Sequence, residues 1–270
     1  MTLDRLFEYS FFTNAMIGIA IISVAAAMIG TYIISRRLVA ISGGITHACF
    51  GGLGRGYFLG VSPIAMASLF AVGSSLGVEL MSSRYRIRED SAIAVVWAVG
   101  MAIGVIFVFL TPGYVPELNS FLFGNILTIS RHDLWLFAIY TIILIIFFAR
   151  RFDAIVSVAF DRDFAKVLGL PVTYISTAMT VAIAICIVLT IKLVGIMLLM
   201  SMLSLPQLIS EIFTSRFKTM MLLSCLVSLV GSLSGLFLSA YINVPCSALI
   251  VGVFCLIFVV CKIVSIWLKR

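Results

Sequence analysis

Residues 36 to 60 read Arg36-Arg-Leu-Val-Ala-Ile-Ser-Gly-Gly-Ile-Thr-His-Ala-Cys-Phe-Gly-Gly-Leu-Gly-Arg-Gly-Tyr-Phe-Leu-Gly60. The run is long enough to cross a bilayer, for which about 20 residues suffice, yet it carries seven glycines and one histidine, His47. Glycine lets helix backbones approach closely, and Gly52, Gly56 and Gly60 are spaced four apart. An imidazole in hydrocarbon is costly unless it faces protein, water or a permeant. The stretch therefore reads as a transmembrane helix lining a packed interface or a pathway, and it sets the fold class as an all-α, polytopic helix bundle.

The rest of the chain agrees. It is 63% hydrophobic and 11% charged, with a mean hydropathy of +1.24, far from the roughly 25% charged residues of soluble domains. At 270 residues it has room for several spans but not for a bundle plus a separate soluble domain of about 100 residues, so a single transmembrane domain over residues 1–270 is expected. The net charge of +7 does not point to nucleic acid, because the basic residues recur between apolar runs instead of forming one patch. The six cysteines, Cys49, Cys186, Cys225, Cys246, Cys255 and Cys261, lie in or beside apolar runs without zinc-finger or redox spacing, and read as small packing residues.

Apolar runs fall at about 11–34, 38–60, 62–81, 91–111, 132–149, 172–191, 193–212, 219–241 and 246–268. They predict nine spans, or eight if Lys192 does not mark a break. Thirteen of the 18 basic residues lie in alternate connections, at Arg36 and Arg37, at Arg84, Arg86 and Arg88, at Arg150 to Lys166, at Arg216 and Lys218, and at Lys269 and Arg270. That bias places the C-terminus in the cytoplasm and the N-terminus outside. Residues 112–131, with Pro112, Pro116 and a short apolar segment, are too short to span and read as an interfacial or re-entrant piece on the outer side.

Residues 150–171 form the longest connection expected on the cytoplasmic side. Within it Phe160, Phe164, Val167 and Leu168 recur at helical spacing beside Asp161, Asp163 and Lys166, and Gly169 and Pro171 provide a stop. Such a short amphipathic helix either lies on lipid headgroups or enters a groove on a soluble partner. Glu89 and Asp90 at the start of a span are expected to complement the helix dipole, and Pro206 to kink its span. Gly73 with Gly77, Gly100 with Gly104, and Gly231 with Gly235 repeat the close-packing spacing. No phosphate-binding loop, His-Glu-x-x-His or Cys-x-x-Cys occurs, so no catalytic constellation is visible. No chain of buried carboxylates suggests a proton-driven carrier either; energy is expected from another subunit.

In order along the chain, Phe7-Glu-Tyr-Ser-Phe-Phe12, Gly30-x-Tyr-x-x-x-Arg-Arg37, Ile41-Ser-Gly-Gly-Ile-Thr-His-Ala48, Arg88-Glu-Asp-Ser-Ala-Ile93, Ser120-x-Leu-Phe-Gly124, Phe160-Asp-Arg-Asp-Phe-Ala-Lys-Val-Leu-Gly169 and Gly235-Leu-Phe-Leu-Ser-x-Tyr241 before Pro245 together resemble the permease subunits of bacterial ABC-3 importers for zinc, manganese or iron. The resemblance implies a multi-pass protein of the bacterial inner membrane that pairs with a second permease copy. Its implied partners are a cytoplasmic ABC ATPase, an extracytoplasmic metal-binding protein and the surrounding lipid. It implies that Phe160, Asp161, Phe164, Ala165, Leu168 and Gly169 belong to the element that contacts the ATPase. It also implies that His47 meets the ion in transit, where the family usually has an aspartate four residues earlier; here that position is Gly43.

His47 lies about ten residues, or about 15 Å, past the inner end of its helix, near mid-membrane. One imidazole is a small part of the roughly four ligands zinc takes, and two across a dimer axis give two; transport tolerates loose sites that release. Loss of a hard oxygen ligand favours zinc over manganese as the transported ion, with no permanently bound cofactor expected. The competing readings are an importer of a metal chelate, such as a siderophore or cobalamin, and a non-transporting membrane enzyme or scaffold. As a structural alternative, His47 is a packing residue hydrogen-bonded between helices.

Overall fold

Long runs of Ile, Leu, Val, Phe and Ala leave the backbone in hydrocarbon one economical way to pair its N–H and C=O groups, within each helix. The computed structural model describes residues 9–112, 124, 126 and 129–268, and among them the regular structure is helical. In chain order the helices are α1 (Ser10–Ser35), α2 (Val39–Leu59), α3 (Pro63–Ser83), α4 (Glu89–Leu110), α5 (Arg131–Phe160), α6 (Arg162–Val167), α7 (Val172–Met202), α8 (Leu205–Phe213), α9 (Phe217–Ile242) and α10 (Cys246–Leu268). Most of the expected re-entrant piece at 112–131, the start of the Phe7 motif, most of the Ser120 motif and the last two basic residues lie outside the described residues.

Among the described residues, seven segments are long and apolar enough to cross a membrane: α1, α3, α4, α5, the stretch Val172–Phe213, α9 and Cys246–Trp267. α2 is long enough, but its glycines, His47 and Arg55 dilute its apolar content. The division expected at Lys192 is absent, and α7 runs through it. Lysine is a good helix former and a charge alone does not end a helix. The backbone is instead interrupted at Gly195, whose φ of 81° and ψ of 172° are open essentially to glycine. Pro206 does not kink a helix interior. It stands in the first turn of α8, where its missing N–H is not needed, and the chain turns just before it at Leu203 and Ser204.

The connection expected from residue 150 is also shorter than the charges suggest. α5 continues through Arg150 and Arg151 to Phe160, with non-helical angles at Arg151 alone (φ −127°, ψ 22°). The non-helical connection therefore starts at Asp161, and the short helix covers Arg162–Val167.

The chain forms two compact units. The first comprises Met1–Ile34, Asn119–Arg150 and Leu193–Arg270. Its centre is α1, with Phe12, Ala15, Ile19, Ile22, Ala26 and Ile29 buried. Gln207 Nε2 donates to the carbonyls of Ala26 (2.9 Å) and Met202 (3.2 Å), so α8 staples the end of α7 to α1. A Cβ on Gly30 would collide with that side chain. Gly231 and Gly235 give α10 the same close approach through Phe254 and Ile250. The second unit comprises Ser35–Leu118 and Arg151–Lys192, with α2 as its buried centre and α3 and α4 packed on it. His47 and the short helix α6 both belong to this unit.

Candidate functional site

The position of His47 follows from the small residues around it. A Cβ on Gly44 would meet the Ile93 side chain, one on Gly100 would meet Ala48, and one on Gly104 would meet the backbone of Phe50 and Gly51. Gly54 lies against Gly104 in the same way. Residues 44, 48, 51 and 54 of α2 share a face, as do 93, 97, 100 and 104 of α4, so the two backbones touch along several turns. Gly52 and Gly56 face differently, toward Met66, Ala67 and Pro63 of α3. Gly60 closes α2 in the left-handed conformation (φ 67°) with open space around it, and Gly43 is buried. Gly73 and Gly77 also meet nothing within 4 Å, so their spacing brings no neighbour of the described chain close.

This seam carries Trp97 over His47. The two rings are parallel, with centroids 4.5 Å apart and planes 4° from each other; Phe50 lies on α2 with its ring centroid 6.1 Å from the imidazole. His47 Nδ1 is buried and has no hydrogen-bond partner among the described residues. An imidazole nitrogen without a partner among the described residues, on a ring stacked flat against an indole, keeps its lone pair or N–H unused. Thr46 is committed elsewhere, donating to Ser42 O at 2.5 Å, and Cys49 is packed as core. Among the described residues no three His, Cys, Asp or Glu side chains gather at a distance suited to hold a metal. His47 with Trp97 is thus not a closed metal cage among the described residues.

The seam gives a direct expectation. Gly100→Val would push a branched side chain into the Ala48 backbone, an overpacking of about 1–3 kcal/mol. We expect a lower unfolding temperature in detergent and altered Trp97 emission, measured with Trp135 and Trp267 replaced by Phe.

At the end of the second unit, the residues expected to form a partner-binding helix are arranged as follows. Asp161 caps α6, its Oδ1 accepting from the N–H groups of Asp163 and Phe164, each at 2.9 Å. Gly169 (φ 72°) stands just past its end, its N–H donating to Lys166 O at 3.0 Å. Ala165 is fully buried, whereas Phe160, Phe164, Val167 and Leu168 are exposed, Val167 at 84%. Lys166 lies 2.9 Å from Asp163, and this hydrogen bond, with the lysine's charge, holds the Asp163 carboxyl below the usual carboxylate range.

Behind α6 lies a cluster that sequence reading does not reveal. Arg162 Nη2 donates to Glu79 Oε2 (2.9 Å) and Oε1 (3.2 Å) and to Ser176 Oγ, and Arg162 Nη1 lies 3.5 Å from Glu89 Oε1. Ser176 Oγ in turn donates to Glu79 Oε1 at 2.8 Å. Arg36 pairs with Glu89, and Ser82 reaches the same carboxylate at 3.4 Å. Glu89 still begins α4, but its carboxylate serves two guanidinium groups, and residue 88 provides no side-chain cap. Apart from Ser82 and Glu89, which are 7 residues apart, the partners are 14 to 97 residues apart in the chain, so no local pattern announces them.

The ABC 3 transport family profile matches residues 8–265. A Chlamydia pneumoniae protein named "Probable metal transport system membrane protein" is 34% identical to the chain, over 83% of this chain and 78% of that one. The manganese transport system membrane protein MntC of Halalkalibacterium halodurans is 28% identical, over 92% of this chain and 85% of its own length. The structure of PsaBC from Streptococcus pneumoniae in complex with Fab superposes with a TM-score of 0.81 at 24% identity, covering 96% of this chain and 93% of that one, which establishes a shared fold.

Proposed function

The chain belongs to the ABC 3 transport family, and on that premise we propose that it is the membrane-spanning subunit of an importer that carries zinc by alternating access, driven by a separate ATPase subunit. As a multi-pass inner-membrane permease of a metal transport family, it has no need of a catalytic constellation of its own. The observation that carries the reading is His47, a polar ring kept in an apolar helix with its Nδ1 uncommitted and its plane fixed by Trp97. Packing alone would use up that nitrogen, because a buried unpaired polar atom costs about 1–3 kcal/mol.

The choice of ion rests on ligand chemistry. The position one turn before His47 is Gly43, so this helix offers nitrogen without carboxylate oxygen, a donor set that suits zinc better than manganese. Manganese is the second reading, favoured by the name of the Halalkalibacterium relative. The basic connections support a cytoplasmic location for α6, whose exposed apolar face suits a groove on the ATPase. The apolar outer faces of α4, α5 and α10 suit lipid and a second copy of the chain.

The test is uptake of labelled zinc in cells that carry this chain with its ATPase and extracytoplasmic binding protein, challenged with excess manganese. Zinc uptake that resists a tenfold or so excess of manganese, about 1.4 kcal/mol of preference, is the expected result. Uptake displaced by an equal amount of manganese would overturn the zinc assignment, and absence of metal uptake would overturn the metal permease.

A further inference from the structure

Six residues are too few to hold a helix in water, since isolated helices shorter than about 12–15 residues are marginal. α6 nevertheless has one defined register, set by the Asp161 cap, the buried Ala165 and, at its first residue, Arg162. That arginine is not on the exposed apolar face. It turns inward to a carboxylate from the end of α3 (Glu79), one from the start of α4 (Glu89) and a hydroxyl from the first turns of α7 (Ser176). Its side chain is 22% exposed, and those of Glu79 and Arg36 are 13% and 8% exposed.

We propose that Arg162 is the positioning residue that passes displacement of α6 to the helices around His47. The inference rests on the reading of α6 as the contact for an ATPase. The cluster is balanced, two guanidinium groups against two carboxylates, so its members hold one another without a net buried charge. A guanidinium is suited to this task because its rigid fork engages several oxygens at once in fixed directions. One edge grips α3 and α7, and the other reaches Glu89, which Arg36 shares at the approach to α2. α4, which starts at Glu89, carries Trp97 two turns further on, and α2 carries His47. A push on Phe164 or Val167 therefore has a polar, directional route to the ring stack through Arg162 and Glu89. Apolar contacts alone would let the short helix slide.

The test compares wild type with Arg162→Lys and with the double variant Arg162→Met, Glu79→Leu, each as the complex with its ATPase in nanodiscs of phosphatidylglycerol and phosphatidylethanolamine. The double variant removes both members of the ion pair, a replacement that buried pairs tolerate, so folding is separated from coupling. Hydrogen exchange is followed by mass spectrometry with and without ATP and vanadate, beside metal uptake by the same variants in cells. In wild type, nucleotide is expected to change exchange in 162–168 and also in 84–92 and 172–176. In the double variant the change at 162–168 persists while that at 84–92 is lost, and uptake falls by about tenfold, a size typical of residues that couple distant sites. Arg162→Lys is expected to lie between the two, because an ammonium cannot reproduce the fork.

An unchanged response at 84–92 in the double variant would overturn the inference. So would loss of ATPase co-purification, which would make Arg162 a docking residue, or a wild-type complex with no nucleotide response at 84–92. A wild type that takes up no metal, yet loses its 84–92 response on substitution, would overturn the proposed cargo and leave the role of Arg162 standing.

Discussion

His47→Ala is expected to abolish metal uptake while leaving the chain in the membrane at wild-type abundance. The substitution removes the imidazole whose buried Nδ1 has no partner among the described residues, and the backbone contacts that hold α2 to α4 run through Gly44, Ala48, Gly51 and Gly54, not through the ring. The bundle should therefore survive. Loss of a group that supports a metal ligand already costs about 10–100-fold in affinity or activity, and a direct ligand should cost at least as much. His47→Gln is the sharper variant, since it restores a hydrogen-bonding side chain without a good nitrogen donor. It should recover none of the uptake. If His47→Gln transported at the wild-type rate, the ring would be a packing element, and the path would run elsewhere. Trp97→Phe keeps a flat ring over the imidazole and should retain much of the activity, whereas Trp97→Ala frees the ring to rotate and should lower apparent affinity.

The parts of this site that were legible in the sequence are those carried by local pattern. His47 is visible because a histidine stands out in an apolar run, and α6 because Phe164, Val167 and Leu168 recur at helical spacing between Asp161 and Gly169. Both features depend on spacings of four residues or fewer. Trp97 and the Arg162 cluster were not legible, because they depend on which helix faces meet. The glycine pairs make the point from both sides. Gly100 and Gly104 have the same spacing as Gly73 and Gly77, yet the first pair presses on α2 and the second faces open space. Spacing states that a close approach is permitted, and only a neighbour makes it real. Gly44, Ala48, Gly51 and Gly54 mark a second small-residue face of α2, and this face meets α4. Charge misled in a related way. Lys192 suggests a connection, but basic residues with long stems sit within helices, and the interruption falls three residues on at Gly195; of the Arg150-Arg151 pair, Arg151 is itself the non-helical residue of α5, although the helix resumes beyond it to Phe160.

Phe164→Asp is expected to separate the ATPase from transport more severely than any other single change on α6. Phe164 is 57% exposed and its ring supports no core, so an aspartate there should alter stability by no more than about 0.5 kcal/mol, as exposed substitutions usually do. In an apolar groove the same carboxylate must be stripped of water without a partner, a cost of several kcal/mol, while the anchoring aromatic ring is lost. Aromatic anchors of this kind commonly contribute about 2 kcal/mol or more to an interface. The combined loss should reduce ATPase co-purification and uptake by well over tenfold, or about 1.4 kcal/mol, at unchanged membrane abundance. Ala165 supplies the control from the opposite face. It is fully buried, so Ala165→Asp should lower abundance itself, through misfolding of the Asp161 to Leu170 turn. Docking would then be distinguished from folding by which of two residues, adjacent in sequence and opposite in direction, removes the chain from the membrane. If Phe164→Asp left both ATPase binding and uptake at wild-type levels, the exposed face of α6 would be a lipid-facing surface and the ATPase would have to bind elsewhere.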